Sequence, residues 1–302
     1  MIISTIAAAV AVAALLAGCS ARSEPSSGRI IAVGAENQYT SVISQIGGKY
    51  VDAMSIMSNP NTDPHTFEAS AAVASTIGEA DLVVQNGLGY DSFMNKIESA
   101  APKSNRSVIT AQTVLGLPNS TRNPHLWYSP KTMPAVAKRI AVALTTIAPS
   151  HRAYFAANLA AFTASLTKWT DALATFRAAH PRIAVATTEP VADYLLEAAG
   201  TDNRTPWALQ AAIMNDTDPA PQDVAIQDAL FSRHRVAVFL YNRQVTDSIT
   251  TRYLALARAN HVPVVGVYET MPTDGYTYQT WMEAELDALQ RAVTTGASTE
   301  KL

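Results

Sequence analysis

Seven short apolar runs rich in β-branched residues mark the chain, at 29–34, 51–57, 82–85, 107–110, 182–187, 235–242 and 263–268. Each is bounded by Gly, Asn, Pro or a polar cluster, the pattern of a buried strand. Between them lie stretches of helical period, among them 39–48, 67–80, 192–199, 244–260 and 278–293. Alternation of strand and helix predicts parallel sheets with helices outside.

The middle of the chain breaks this alternation. From 131 to 179 there is no strand signal, and the segment reads as helix with a joint at Pro149-Ser150. Beyond the joint Phe155, Leu159, Phe162, Leu166, Trp169, Leu173 and Phe176 recur at spacings of four and three, the stripe of an amphipathic helix. At 1.5 Å per residue a helix over 152–179 would be ~40 Å long. A coiled-coil dimer would use the same stripe, but the flanking faces carry Ala and Thr instead of paired charges. The expected fold is therefore α/β, with two lobes that each hold a mostly parallel sheet flanked by helices, joined by one long helix. The divisions are an N lobe at 29–147, the linking helix at 148–179 and a C lobe at 180–302.

Ahead of this body, the apolar run 2–16 ends in Leu16-Ala17-Gly18-Cys19, followed by a polar, turn-rich stretch at 20–29. The apolar run is too short to span a bilayer as a mature helix. It looks like a bacterial lipoprotein signal, with 1–18 removed, lipid on the Cys19 thiol and 19–28 a tether. No Lys or Arg precedes Cys19, a departure from the usual secretory signal. Cys19 is the single cysteine, so neither an intramolecular disulfide nor a thiolate metal cluster can form. With 48% hydrophobic and 16% charged residues the chain can build a large core, and its net charge of −3, with Lys and Arg scattered, argues against a nucleic-acid partner.

Any metal must then be held by nitrogen and oxygen. Of the six histidines, His151, His180, His234 and His261 sit at helix ends or in polar segments before strands. His65 and His125 differ, because each follows a proline in a loop, which stiffens the backbone that presents the imidazole. In open parallel sheets ligands gather beyond the carboxyl ends of strands. Glu189 and Glu269 stand there, just after the runs 182–187 and 263–268. On spacing alone each acid could equally cap a following helix or compensate its dipole. Two imidazoles and two carboxylates would suit Zn²⁺, Mn²⁺ or Fe²⁺, and a filled coordination sphere points to carriage rather than catalysis.

The segments Asp63-Pro64-His65-Thr66-Phe67-Glu68, 82–93, Asn123-Pro124-His125-Leu126-Trp127-Tyr128, Thr188-Glu189-Pro190 and Glu269-Thr270-Met271-Pro272 come in order and cover the chain after the tether. In them the chain resembles the solute-binding proteins of bacterial ABC importers for zinc and manganese. The resemblance implies two α/β lobes joined by a rigid helix and one Mn²⁺ or Zn²⁺ ion carried in the cleft as transported ligand. His65, His125, Glu189 and Glu269 are the ligands it implies. It further implies a permease and its ATPase as partners, a monomer, and a location on the extracytoplasmic face of the membrane. Family members dedicated to zinc often have a histidine at the third position and a His-rich loop before the second motif. Here Glu189 takes that position, and no histidine lies between 66 and 124. A second carboxylate favours Mn²⁺, although zinc has the higher intrinsic affinity at most N/O sites.

Asp63, Glu68 and Asn123 are candidates to orient the imidazoles. A binder of an organic ligand such as a siderophore or cobalamin is the competing function, with Trp127, Tyr128, Trp207 and Tyr241 as its aromatic supply. A surface adhesin is compatible with metal binding. A metal-dependent hydrolase is disfavoured, since no His-Glu-x-x-His cluster is present.

Overall fold

The computed structural model describes residues 28–61, 67–272 and 275–302. In chain order the first half runs β1 (Ile30–Glu36), α1 (Asn37–Gly47), β2 (Val51–Met57), α2 (Ala71–Glu79), β3 (Leu82–Gln85), α3 (Ser92–Ala100), β4 (Ser107–Thr110), α4 (Ala111–Val114) and α5 (Thr132–Ile147). Then come α6 (Arg152–Ser165) and α7 (Thr167–Ala179). The second half runs β5 (Ala184–Thr187), α8 (Asp193–Ala198), β6 (Asp202–Asn203), α9 (Trp207–Met214), α10 (Pro221–Ser232), β7 (Val238–Asn242), α11 (Ser248–Ala259), β8 (Val264–Val267) and α12 (Tyr278–Thr295).

The strands form two four-stranded sheets, ordered β2-β1-β3-β4 and β6-β5-β7-β8. Every pairing is parallel. All four residues of β3 and of β8, and all five of β7, are buried, as expected of strands covered by helices on both faces. The described residues thus form the expected α/β architecture. No helix among them is long and apolar enough to cross a membrane.

Several ends differ from the sequence reading, for local reasons. The run beginning at 182 pairs only from Ala184, because Arg182 has a positive φ of 55°. The helix expected over 244–260 starts at Ser248, where Asp247 caps it with a reciprocal Thr250 contact. Ser70 caps α2 by accepting from the Val73 N–H, which moves that start from 67 to 71. The strand read as 29–34 continues through Gly34, which pairs with Ser55, to Glu36, which pairs with Met57.

The long helix follows a short 3-10 turn at Pro149–His151 and has one irregular residue, Leu166, between α6 and α7. Of its stripe, Phe155, Phe162, Leu166, Trp169, Leu173 and Phe176 are buried and Leu159 partly so. The α6 half packs on α1 and α5, and the α7 half on α8 and α12. One large core runs along this rod and contains the facing sides of both sheets. Two smaller cores lie on the far sides, under α2 and α3 in one lobe and under α9 to α11 in the other. The rod therefore ties both lobes into one apolar body.

Candidate metal centre

The carboxyl ends of the strands in both sheets converge on one polar, buried region. From the second sheet Glu189 follows β5, Asn242 ends β7 and Glu269 follows β8. From the first sheet Glu36 ends β1, and the turn after β3 brings Tyr90. His125 arrives on the loop that precedes α5, closed by a 3-10 turn at Leu126–Tyr128. His125, Glu269, Glu36 and Asn242 have no exposed surface, and Glu189 retains 2%.

The His125 ring is fixed from behind. Asn123 Oδ1 accepts from the His125 backbone N–H at 2.9 Å and lies 2.8 Å from ring Nδ1. Asn123 Nδ2 donates to the Pro190 carbonyl at 2.7 Å, which sets the orientation of the amide, since a carbonyl can only accept. Nδ1 therefore carries the proton and donates to Oδ1. The lone pair is left on Nε2, which faces Glu269 Oε2 at 3.4 Å. This is the arrangement a metal-ligating histidine requires. The same asparagine bonds beside Glu189, so it couples the second His motif to the third candidate ligand.

A second asparagine joins the acids. The two N–H bonds of Asn242 Nδ2 go to Glu189 Oε1 at 2.9 Å and Glu269 Oε1 at 2.8 Å. Tyr90 OH donates to Glu269 Oε2 at 2.8 Å. The main chain at Glu269 is pinned as well, with its N–H donating to Gln244 Oε1 at 2.7 Å and its carbonyl accepting from Gln38 Nε2 at 3.1 Å. Tyr90 reaches the acid because the turn after β3 takes positive φ at Gly87 (86°), Leu88 (56°) and Gly89 (83°). A Cβ on Gly87 would come within 2.7 Å of Thr110 Cγ2. Asp91 closes that turn by accepting from the backbone N–H of Asn86 at 2.5 Å and of Gly87 at 2.9 Å.

The electrostatics are those of buried acids. Desolvation raises Glu36 well above the ordinary carboxylate range, with further contributions from the charges of Asp91 and Glu269. Burial also pushes Asp91 up to about 6, against the two backbone donors that lower it. Tyr90 is raised by burial, by Glu269 and by Glu36. A small cation entering here would relieve repulsion among groups that water cannot screen.

Of the sequence-predicted ligands, His125, Glu189 and Glu269 come together, His125 with Glu269 directly and Glu189 through Asn242. His65 and the lipidation residue Cys19 lie outside the described residues, as does Asp63. Among the described residues no group of three His, Cys, Asp or Glu side chains is placed so that it could hold a metal ion by itself. Glu68 is exposed, while Asn123 fills the orienting role considered for it. His151 stacks on Tyr50 with centroids 3.7 Å apart, His180 meets Gln290, and His234 and His261 are exposed loop residues. Trp127, Tyr128 and Tyr241 are buried core residues, and Arg122 lies over Trp207, so these aromatics do not line a common cleft for an organic ligand.

Glu36, Tyr90 and Asn242 escaped the sequence reading. The rule that found Glu189 and Glu269, an acid closing an apolar strand, also describes Glu36, but the strand had been ended two residues early. Asn242 is a polar residue closing a buried run and carries the same signal. Tyr90 has no local signature.

Residues 33–292 match the family described as zinc-uptake complex component A, periplasmic (ZnuA). A putative metal-binding protein of Thermotoga maritima is 30% identical over 94 residues, 31% of this chain and 33% of that protein. The manganese ABC transporter substrate-binding lipoprotein PsaA of Streptococcus anginosus is 27% identical over 172 residues, 53% of this chain and 55% of PsaA. The matched stretches thus span between a third and about half of these relatives. In fold, the periplasmic zinc-binding protein TroA of Treponema pallidum superposes with a TM-score of 0.74 at 19% identity, over 89% of this chain and 100% of TroA. With the family match covering all but the two ends of the sequence, the chain belongs to the family described as zinc-uptake complex component A, periplasmic.

Proposed function

We propose that this protein captures one divalent transition metal ion, Mn²⁺ or Zn²⁺, outside the cytoplasm and delivers it to an ABC-type membrane importer. The observation that carries the reading is the buried approach of His125 Nε2 to Glu269 Oε2 at 3.4 Å, with Glu189 held to the same acid through Asn242. His65, His125, Glu189 and Glu269 are the ligands in this reading. Capture is reversible binding with no reaction. The ion sheds water into a pocket of nitrogen and oxygen donors and leaves when the permease parts the lobes. Partnership with a permease and its ATPase rests on family membership and on the likeness to PsaA, an ABC transporter substrate-binding lipoprotein. Attachment through lipid on Cys19 rests on the Leu-Ala-Gly-Cys sequence and on the lipoprotein description of PsaA. The same reading takes 1–18 as signal, 19–28 as tether and the protein as a monomer.

The test is a titration of chelator-stripped protein with Mn²⁺ and Zn²⁺ by competition against a chromogenic chelator. The wild type should take up one ion per chain. His125→Ala and Glu269→Ala should each bind more weakly by well over the roughly 10- to 100-fold typical of losing an orienting partner. Wild-type affinity in both variants would refute the site.

A further inference from the structure

Among the described residues no donor meets the Glu36 carboxylate with hydrogen-bond geometry. Glu36 is the last residue of β1, wholly buried, and neither of its oxygens makes a hydrogen bond. Its own backbone N–H acts on the carboxylate electrostatically without meeting hydrogen-bond geometry. Two residues on, buried Gln38 Oε1 also lacks a donor. Among the described residues the charges that act on Glu36 are Asp91 and Glu269, both acidic. Asp91 is accounted for by its two turn N–H bonds. A buried acceptor without a donor loses its hydration with nothing in return, more so when charged, so such a carboxylate at a strand end calls for an occupant.

The placement points to the occupant. Asn37 and Gln38 bind the segment that carries Glu269: Asn37 Nδ2 donates to the Met271 carbonyl at 3.1 Å, Asn37 Oδ1 accepts from the Met271 N–H at 2.8 Å, and Gln38 Nε2 donates to the Glu269 carbonyl at 3.1 Å. These bonds seat the end of β1 against the candidate ligand. The charge of Glu36 also reaches Tyr90, whose hydroxyl donates to Glu269 Oε2. We propose that Glu36 is an additional oxygen ligand of the transported ion, a third carboxylate that turns a two-His, two-Glu set into a five-ligand site. The inference rests on the metal-capture reading above. Its chemical consequence is selectivity, because Zn²⁺ is satisfied by four ligands in a tetrahedron while Mn²⁺ suits oxygen-rich, six-coordinate surroundings. Glu36 would thus favour Mn²⁺ over Zn²⁺.

The experiment compares wild type, Glu36→Gln and His125→Ala, each stripped of metal. Mn²⁺ affinity is read from the EPR signal of free Mn²⁺ and Zn²⁺ affinity by chelator competition. In Glu36→Gln, Mn²⁺ affinity should fall by roughly 100-fold or more, beyond what an orienting partner contributes. Zn²⁺ affinity should fall less than about tenfold. Unchanged Mn²⁺ affinity, or equal losses for both ions, would overturn the proposal. A crystal structure of the Mn²⁺-loaded wild type gives a second reading that needs no variant. A Glu36 oxygen within about 2.2 Å of the ion supports ligation, and one hydrogen-bonded to a ligand instead overturns it. If the wild type binds neither ion, or His125→Ala binds like wild type, the metal-capture reading itself fails. Loss in His125→Ala with wild-type behaviour of Glu36→Gln sinks only the fifth ligand.

Discussion

Burial has a consequence for stability at Glu285. This residue lies on α12 with 1% exposure, and its Oε1 accepts from Trp281 Nε1 at 3.0 Å and Tyr128 OH at 3.1 Å. Desolvation raises its carboxyl from 4.5 to about 8, against those two donors. The sign follows from linkage. Below pH 4.5 the group is protonated both folded and unfolded and costs nothing, and stability is then lost progressively as pH rises to about 8. At about 1.4 kcal/mol per pH unit, reduced where the group is partly titrated at either end, the loss between about pH 5 and pH 8 is about 3–4 kcal/mol. Glu285→Gln keeps an oxygen for both donors and cannot ionise, so it should remove that slope. The assay is urea unfolding of metal-free protein at several pH values, wild type beside variant. Parallel stability curves from about pH 5 to pH 8 would show that Glu285 is not held protonated by the fold, and the argument from burial would be wrong.

Other expectations follow from the same geometry. Asn123→Ala removes the 2.8 Å contact to His125 Nδ1 and the 2.7 Å bond to the Pro190 carbonyl. Metal affinity should fall by roughly 10- to 100-fold while the circular dichroism stays that of wild type, and an unchanged dissociation constant would deny Asn123 its orienting role. Trp169→Ala empties a fully buried position on the rod between the lobes and should cost about 3–5 kcal/mol in denaturant unfolding, whereas a loss below about 1 kcal/mol would mean the rod is not the core. Protons compete with the ion for imidazole and carboxylates, so affinity measured by calorimetry should weaken steadily from about pH 8 to pH 5, and a flat profile would exclude these ligands.

Much of the fold was legible because it is written in local patterns. The limits of β2, β3 and β4 coincide with their apolar runs, since each run is stopped by the residues that also stop pairing. The stripe from Phe155 to Phe176 identified the rod, although the irregularity at Leu166 leaves no trace in spacing. Neither α9 nor α10 stood out: α10 buries only Gln227, Leu230 and Phe231, too few to set a period. At the site the strand-end rule picked out Glu189 and Glu269. The rule misses Glu36 because the apolar run 29–34 ends at Gly34, whose lack of a side chain in fact suits close packing: a Cβ there would lie 2.4 Å from Thr40 Oγ1. Asn242 closes the buried run of β7 and obeys the same rule, but only Tyr90 acquires its role purely through tertiary contacts. No spacing rule could supply a tyrosine that crosses between lobes.

Those cross-lobe contacts bear on how an ion is held and let go. Around the candidate site the first lobe bonds the second at several points beyond the ligands: Asn37 with Met271, Gln38 with the Glu269 carbonyl, Tyr278 OH with the Trp127 carbonyl at 2.7 Å, and Tyr128 OH with the Tyr268 carbonyl at 2.9 Å. Trp127 and Tyr128 sit just after His125, and Tyr268 just before Glu269. The backbone segments that present the two facing side chains are thus bonded to each other. The acids would otherwise repel, and Asn242 offsets this by giving one N–H to each. Affinity in such a site comes from preorganisation, because the ordering entropy has been spent in folding and not at capture. The same bonds oppose opening, and the rod, which shares its buried stripe with both lobes, resists a wide swing. On the capture reading, release then requires the permease to bind the parted form more tightly than the closed one, since an equilibrium shifts only by differential affinity.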